Sequence, residues 1–281
     1  MKRLDRIKLD FTRNWKLPGK ERLSNLLRPS DQLKQSINNG IVWLTNEDIA
    51  IYTSADSYIE YSILSTGTYE DEINKLIRIS LKDGCNALDI GGNIGLQSIR
   101  MSQCAGRAGK VFAFEPLEYL REKFSRNTAL NKADNVTLFP YALSDEESEA
   151  DFAVNPCSWN QGTFSLSGSS TGPGTQRVLI KVADDLPEIQ SLPSLDLVKI
   201  DVEGFEFQVL RGLTKTLHKH KPRIIFEYDD NYWRNNGQSI ADCYAFLQAI
   251  GYTIYQVSSV GCELLKSAEA IEGGNLFCIP V

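Results

Sequence analysis

Carboxylates and glycines fall at spacings suited to holding a charged ligand. Between Asp89 and Gly95 the chain reads Asp-x-Gly-x-Asn-x-Gly, with Gly91, Asn93 and Gly95 following the acid. Glycines here let the backbone turn sharply and approach a ligand closely. A helix starting just beyond them offers free N–H groups and a partial positive charge to an anion. Asp89 lies near the end of an apolar run, from Cys85 to Ile90, where it can pair with a cationic group. Glu115 closes a second run, Lys110 to Glu115. An acid about 20 residues or somewhat more after such a turn accepts hydrogen bonds from ribose hydroxyls in nucleotide-binding folds. Further acids, Asp201, Glu203, Glu206 and Glu227, follow later apolar runs. They are candidates for a general base or for electrostatics at a helix start. The glycine pattern is not the dinucleotide Gly-x-Gly-x-x-Gly.

The elements that must position these residues read as alternating strands and helices. Strands are expected at Cys85 to Ile90, Lys110 to Glu115, Val136 to Tyr141, Leu195 to Ile200 and Arg223 to Glu227. Helices follow from Ile94, from Pro116 with Leu117, Leu120 and Phe124 on one face, and from Phe205 through Leu217. Ser239 with Asp242 makes a capping box for another helix, which stops at Gly251. Ahead of the glycine turn, Ile73, Leu76, Ile77 and Leu81 mark a helix with Glu70, Asp71 and Glu72 in its first turn. Gly40 to Leu44 and Ile49 to Thr53 read as a hairpin. Tyr252 to Val257 and Asn275 to Val281 lack a helix between them, so they should pair antiparallel. The expectation is an α/β fold with a seven-stranded, mostly parallel sheet, an antiparallel terminal hairpin and helices on both faces. Residues 146–194 interrupt the rhythm as a loop and hairpin insertion. Its stretch 155–176, rich in Gly and Ser with Trp159 and Phe164, reads as a lid or as a disordered loop.

Composition narrows the setting. The chain has 281 residues, 42% hydrophobic and 23% charged, with a formal net charge of −6, which argues against broad nucleic-acid binding. No apolar run approaches the ~18 residues of a membrane span. The charged start, Met1 to Arg13, lacks the apolar core of a secretory signal. Six cysteines without Cys-x-x-Cys spacing and two histidines argue against structural zinc and fit reduced thiols in a cytoplasmic protein. Asp201, Glu203, Glu227, Asp229 and Asp230 are oxygen-rich enough for Mg²⁺ or Ca²⁺, but nothing in their spacing demands a metal. Residues 1–57 are expected to form an extension of short helices and the hairpin, either packed on the domain or making homodimer contacts.

Five strand–helix units and a terminal hairpin are the layout of Rossmann-like methyltransferases. The motifs agree. Ala87 to Gly95 resembles the first motif of FkbM-type S-adenosylmethionine-dependent methyltransferases, and Val111 to Pro116 resembles the second. Val198 to Glu206 with Leu210-Arg211-Gly212 resembles that family's most distinctive segment; Gly67 to Glu70 and Pro222 to Glu227 also match. Gly92 and Phe205 stand where the family often has other residues. The resemblance implies a methyltransferase domain over 58–281 with S-adenosyl-L-methionine as cofactor. It implies that Gly91, Asn93 and Gly95 bracket the methionine end, and that Glu115, beside Pro116, holds both ribose hydroxyls. Tyr141, Ala142 and Leu143 should edge the adenine. Asp89 and Asp201 should lie near the amino group or the sulfonium, with Tyr69 and Glu70 over the pocket. A base among Asp201, Glu203 and Glu206 would serve O-methylation of a sugar, glycan or secondary metabolite. Trp159, Phe164, Tyr232 and Trp233 are candidates to stack on that acceptor. An NAD-dependent oxidoreductase and a non-catalytic cofactor-binding module are the alternatives.

Overall fold

Strands that are apolar along their length must bury both faces, and a parallel sheet covered by helices is the arrangement that allows it. The computed structural model describes residues 40–45, 47–53, 57–154 and 174–281, together with Ile7, Phe11, Thr12 and Trp15. The chain enters through a hairpin, β1 (Gly40–Trp43) and β2 (Ala50–Thr53), followed by helices α1 (Tyr58–Thr66) and α2 (Asp71–Ser80). Next come β3 (Asn86–Ile90), α3 (Leu96–Ala105), β4 (Lys110–Phe114), α4 (Glu118–Leu130) and β5 (Val136–Phe139). Three strands, β6 (Ala142–Ser144), β7 (Ser148–Ala153) and β8 (Thr175–Val182), form a separate small sheet. A short helix, α5 (Pro187–Gln190), leads to β9 (Leu197–Ile200), α6 (Glu206–Gly212), α7 (Thr214–His220) and β10 (Arg223–Tyr228). The chain closes with α8 (Asp230–Asn235), α9 (Ile240–Ala249), β11 (Tyr252–Ser258), β12 (Gly261–Leu264) and β13 (Gly274–Pro280).

The main sheet runs β12-β11-β13-β10-β9-β3-β4-β5. Its centre is parallel, and β13 lies antiparallel between β10 and β11. The expected seven strands are present, and β12 adds an eighth at the edge, where all its residues are exposed and carry no buried pattern to read. Strand order reverses between β3 and β9, and a crevice at such a switch point is where open α/β sheets bind ligands.

Two helices differ from expectation. The helix expected from Phe205 to Leu217 is two, parted at Leu213 with φ −104° and ψ 7°, and Gly212 just before it packs on the small sheet: a Cβ there would lie 2.1 Å from the Ser144 carbonyl oxygen. Helix α1 was not expected at all. Ser57 caps it, its Oγ accepting from the Glu60 N–H at 3.2 Å, but Glu60 through Thr66 are all buried, so no polar stripe marks its period.

Packing ties these parts together. Val42, Leu44, Ile49 and Ile51 of the hairpin share one apolar cluster with α1, α3 and Leu117 and Leu120 at α4. A larger cluster fills the sheet face under α6, α7 and α9, and a third lies under α2 and α3. Most of residues 1–39 and all of 155–173, with Trp159 and Phe164, lie outside the described residues, so the expected short helices and lid do too. Among the described residues no helix is long and apolar enough to cross a membrane.

Candidate active site

The β3–α3 turn and the end of β9 are pressed together. Gly91 has φ 88°, and a Cβ on it would fall 1.9 Å from the Asp201 carbonyl oxygen. Its N–H and that of Gly92 both donate to the Phe114 carbonyl at 3.0 Å, fixing the turn to the end of β4. Gly92, which also lines the smaller cavity described below, and Gly95 make room for α4. A Cβ on either would meet the Phe124 ring at 2.9 and 3.1 Å, so these glycines let α4 pack close.

Glu115 is the pivot of this turn. It is 3% exposed, and its Oε2 accepts from the Asn93 N–H and its Oε1 from the Leu117 N–H, both at 2.9 Å. Burial pushes its carboxyl up to about 7, against the pull of those two N–H groups and Arg121. Each oxygen keeps a lone pair for a further donor. Glu115 and Pro116 line a cavity of about 300 Å³ together with Ala142, Leu143, Asp201 and Glu203. Apolar walls come from Phe114, Leu120, Phe152 and Ile180. Tyr141 is not part of that lining; its ring packs on Phe114 and Phe139, with centroids 5.8 and 5.7 Å apart.

A smaller cavity, about 30 Å³, is lined by Tyr69, Glu70, Gln97 and Lys199, and shares Gly91, Asn93 and Asp201 with the larger one. Glu70 precedes α2 at φ 50° and accepts from Gln97 Nε2 at 2.7 Å. Burial raises its carboxyl to about 7, with Lys199 opposing and Asp201 adding to the rise. Burial and the neighbouring acids also hold the Tyr69 hydroxyl well above its ordinary value. Lys199 is buried in β9 beside Asp89 of β3 and donates to Asp201 Oδ2 at 3.0 Å. Burial works against its ammonium, and the carboxylates of Asp201, Asp89 and Glu70 outweigh that and hold it above its ordinary value. Sequence reasoning passed over Lys199; the signal was a lysine inside an apolar strand, which a fold buries only with a partner. Asp89 is fully buried behind the lining. Ser98 Oγ donates to its Oδ2 at 2.5 Å, while Oδ1 has no partner among the described residues.

The remaining acids divide by geometry. Glu203 is held at φ 54° ahead of Gly204, which backs onto Tyr232, and burial with Asp201 and Glu227 nearby lifts its carboxyl to about 9. Glu227 rises to about 8 through burial and then Asp201. Glu206 is 1% exposed and turned back on its own loop, accepting from the N–H groups of Val202 at 2.9 Å and Gly204 at 3.0 Å. It lines neither cavity and builds the turn that carries Glu203. Among the described residues no set of His, Cys, Asp and Glu is arranged to hold a metal ion. Trp233 is not available to an acceptor: it is buried against Phe207, Phe226 and Tyr228.

The model of the methyltransferase FkbM domain matches residues 89–254, from the β3 acid into β11. The chain belongs to the FkbM methyltransferase family. Among relatives of this FkbM-family chain, hexuronic acid methyltransferase AglP of Haloferax volcanii is 31% identical over 150 residues, covering 53% of this chain and 58% of AglP. The 2-O-methyltransferase NoeI of Sinorhizobium fredii is 31% identical over 157 residues, covering 51% of this chain and 63% of NoeI. The chain thus spans less than two thirds of either relative. A crystal structure of an FkbM methyltransferase from Methylobacillus flagellatus is 16% identical, with a TM-score of 0.46, covering 78% of this chain and 53% of that one.

Proposed function

We propose that this FkbM-family chain transfers a methyl group from S-adenosyl-L-methionine to a hydroxyl of a sugar, glycan or secondary metabolite. The observation that carries the reading is Glu115, a buried carboxylate fixed by two backbone N–H groups at the wall of the larger cavity, with lone pairs left for ribose hydroxyls. The donor set fits the rest of the cofactor. Ala142 and Leu143 supply an apolar edge for the base, and Tyr69, Glu70 and Asp201 surround the smaller cavity on the side of an amino-acid tail. The unpartnered Asp89 Oδ1, on a carboxyl that burial raises and Lys199 pulls down, leaves a buried acceptor behind the lining. When bound, the cofactor supplies an electrophilic methyl group on a sulfonium.

The chain's own contribution is alignment in a largely apolar cavity, plus a base. Glu203 is the base on this reading. Glu203 lines the larger cavity, and a carboxylate of raised pKa is a strong proton acceptor once ionised. Asp201, tied to Lys199, holds charge beside it. Glu206 positions Glu203 through the loop. Turnover at saturating cofactor should therefore climb from about pH 6 to about pH 9, and Glu203→Gln should lower it about a hundredfold and flatten the climb. A climb unchanged in that variant moves the base elsewhere.

Five carboxylates, Glu115, Asp145, Glu146, Asp201 and Glu203, and no basic side chain line the larger cavity among the described residues. Residues 155–173 contain no Lys, Arg or His in sequence. This favours an uncharged acceptor over a uronate. Calorimetry with S-adenosylmethionine or S-adenosylhomocysteine tests the cofactor; no heat at high micromolar ligand overturns the proposal. Labelled-methyl transfer to paired hexosides and hexuronides then tests the acceptor.

A further inference from the structure

Arg100 and Glu47 form an ion pair far from solvent, with side chains 0% and 4% exposed. A guanidinium cannot shed its charge, so a buried one needs a matched partner. Here the match is a two-point fork: Nε donates to Glu47 Oε2 at 2.9 Å and a terminal nitrogen to Oε1 at 2.6 Å. The other terminal nitrogen donates to Gln97 Oε1 at 3.2 Å and, more weakly, to the Glu70 backbone carbonyl at 3.5 Å. Arginine can only donate, so the Gln97 oxygen must face it and the Gln97 amide nitrogen must face away. That nitrogen donates to Glu70 Oε2 at 2.7 Å. Donation therefore runs outward from Arg100, to Glu47 in the hairpin turn on one side and through Gln97 to Glu70 at the smaller cavity on the other. Neither Glu47 nor Arg100 lines a cavity described above. Glu47 also lies outside the residues that the family model matches.

We infer that Glu47 and Arg100 are positioning residues for the cofactor, acting through Gln97 to fix the Glu70 carboxylate at the tail end of the site. The inference rests on the cofactor reading above. It makes the β1–β2 hairpin a working part of the site. A purely structural ion pair would anchor the hairpin and leave ligand affinity alone.

Calorimetry with S-adenosylhomocysteine on the full chain separates the two. Glu47→Gln and, independently, Gln97→Met should each weaken binding about tenfold, and turnover of Glu47→Gln at saturating cofactor should stay within about twofold. The double variant Glu47→Gln/Glu70→Gln should bind no more weakly than Glu70→Gln alone, because both changes act on one carboxylate. Glu149→Gln, which breaks the exposed pair with Arg177, should change nothing. Gln97→Met leaves the Arg100–Glu47 pair intact and carries the test if Glu47→Gln fails to fold. Unchanged affinity in folded Gln97→Met, or additive losses in the double variant, overturns the inference. Wild-type protein that binds no S-adenosylhomocysteine overturns the cofactor reading instead.

Discussion

Glu115 shows how much one side chain can be asked to do. Its two oxygens terminate the N–H groups of Asn93 and Leu117, so it shapes the turn and faces the cavity at once. Glu115→Ala should weaken S-adenosylhomocysteine binding by about tenfold to a hundredfold, read by calorimetry. Glu115→Gln should not rescue it, since an amide NH₂ would face one of those backbone donors. The raised carboxyls of Glu70 and Glu115, both at about 7, bear on proton uptake. A ligand that brings cationic charge favours their ionised forms, so S-adenosylmethionine binding near neutral pH should release protons. Calorimetry in buffers of different ionisation enthalpy should show a slope of that sign. Lys199 and Gln97 completed the site without being foreseen, because what matters about them is the partner, and partners come from other strands and helices.

At the scale of elements, the β3–α3 turn and the β9 end work as a unit. Gly91→Ala would drive a methyl group into the Asp201 carbonyl at a positive φ. It should lower stability by about 1–3 kcal/mol in thermal or urea unfolding and abolish cofactor binding in the fraction that folds. Units with strong alternation or helical spacing were legible: the strands β3, β4, β9 and β10, the antiparallel β11–β13 pair and the Ser239 cap all lie where the chain's pattern put them. Elements without a one-sided pattern were not. Helix α1 is buried nearly all round, β12 is exposed throughout, and α8 is a short helix capped by Asp229, a residue that also read as an acid at a strand end.

For the whole molecule, clustered acids link stability to pH. Glu70, Glu115 and Glu206 rise from 4.5 to about 7, Glu227 to about 8 and Glu203 to about 9. A folded-state pKa above the unfolded value means that the native state holds more protons through that window. Stability therefore falls as pH rises from about 5 through 9. The cofactor-free protein should melt at a lower temperature near pH 9 than near pH 6, and saturating S-adenosylhomocysteine should raise both values. Equal melting temperatures would mean that these acids are ionised at little expense.

The order of strands and helices, the glycine turn and the acid that closes β4 were written in local pattern, because apolar periodicity and turn chemistry act between neighbours in the chain. Tertiary structure alone decided which acids face a cavity and which face their own loop. Glu203 and Glu206 are three residues apart, yet one lines the larger cavity and the other braces its turn. It also decided that Gly92 and Gly95 make room for Phe124, and that a glutamate in the N-terminal hairpin is bonded through to Glu70. Burial and hydrogen-bond direction depend on what the rest of the chain brings alongside, and residue spacing does not encode that.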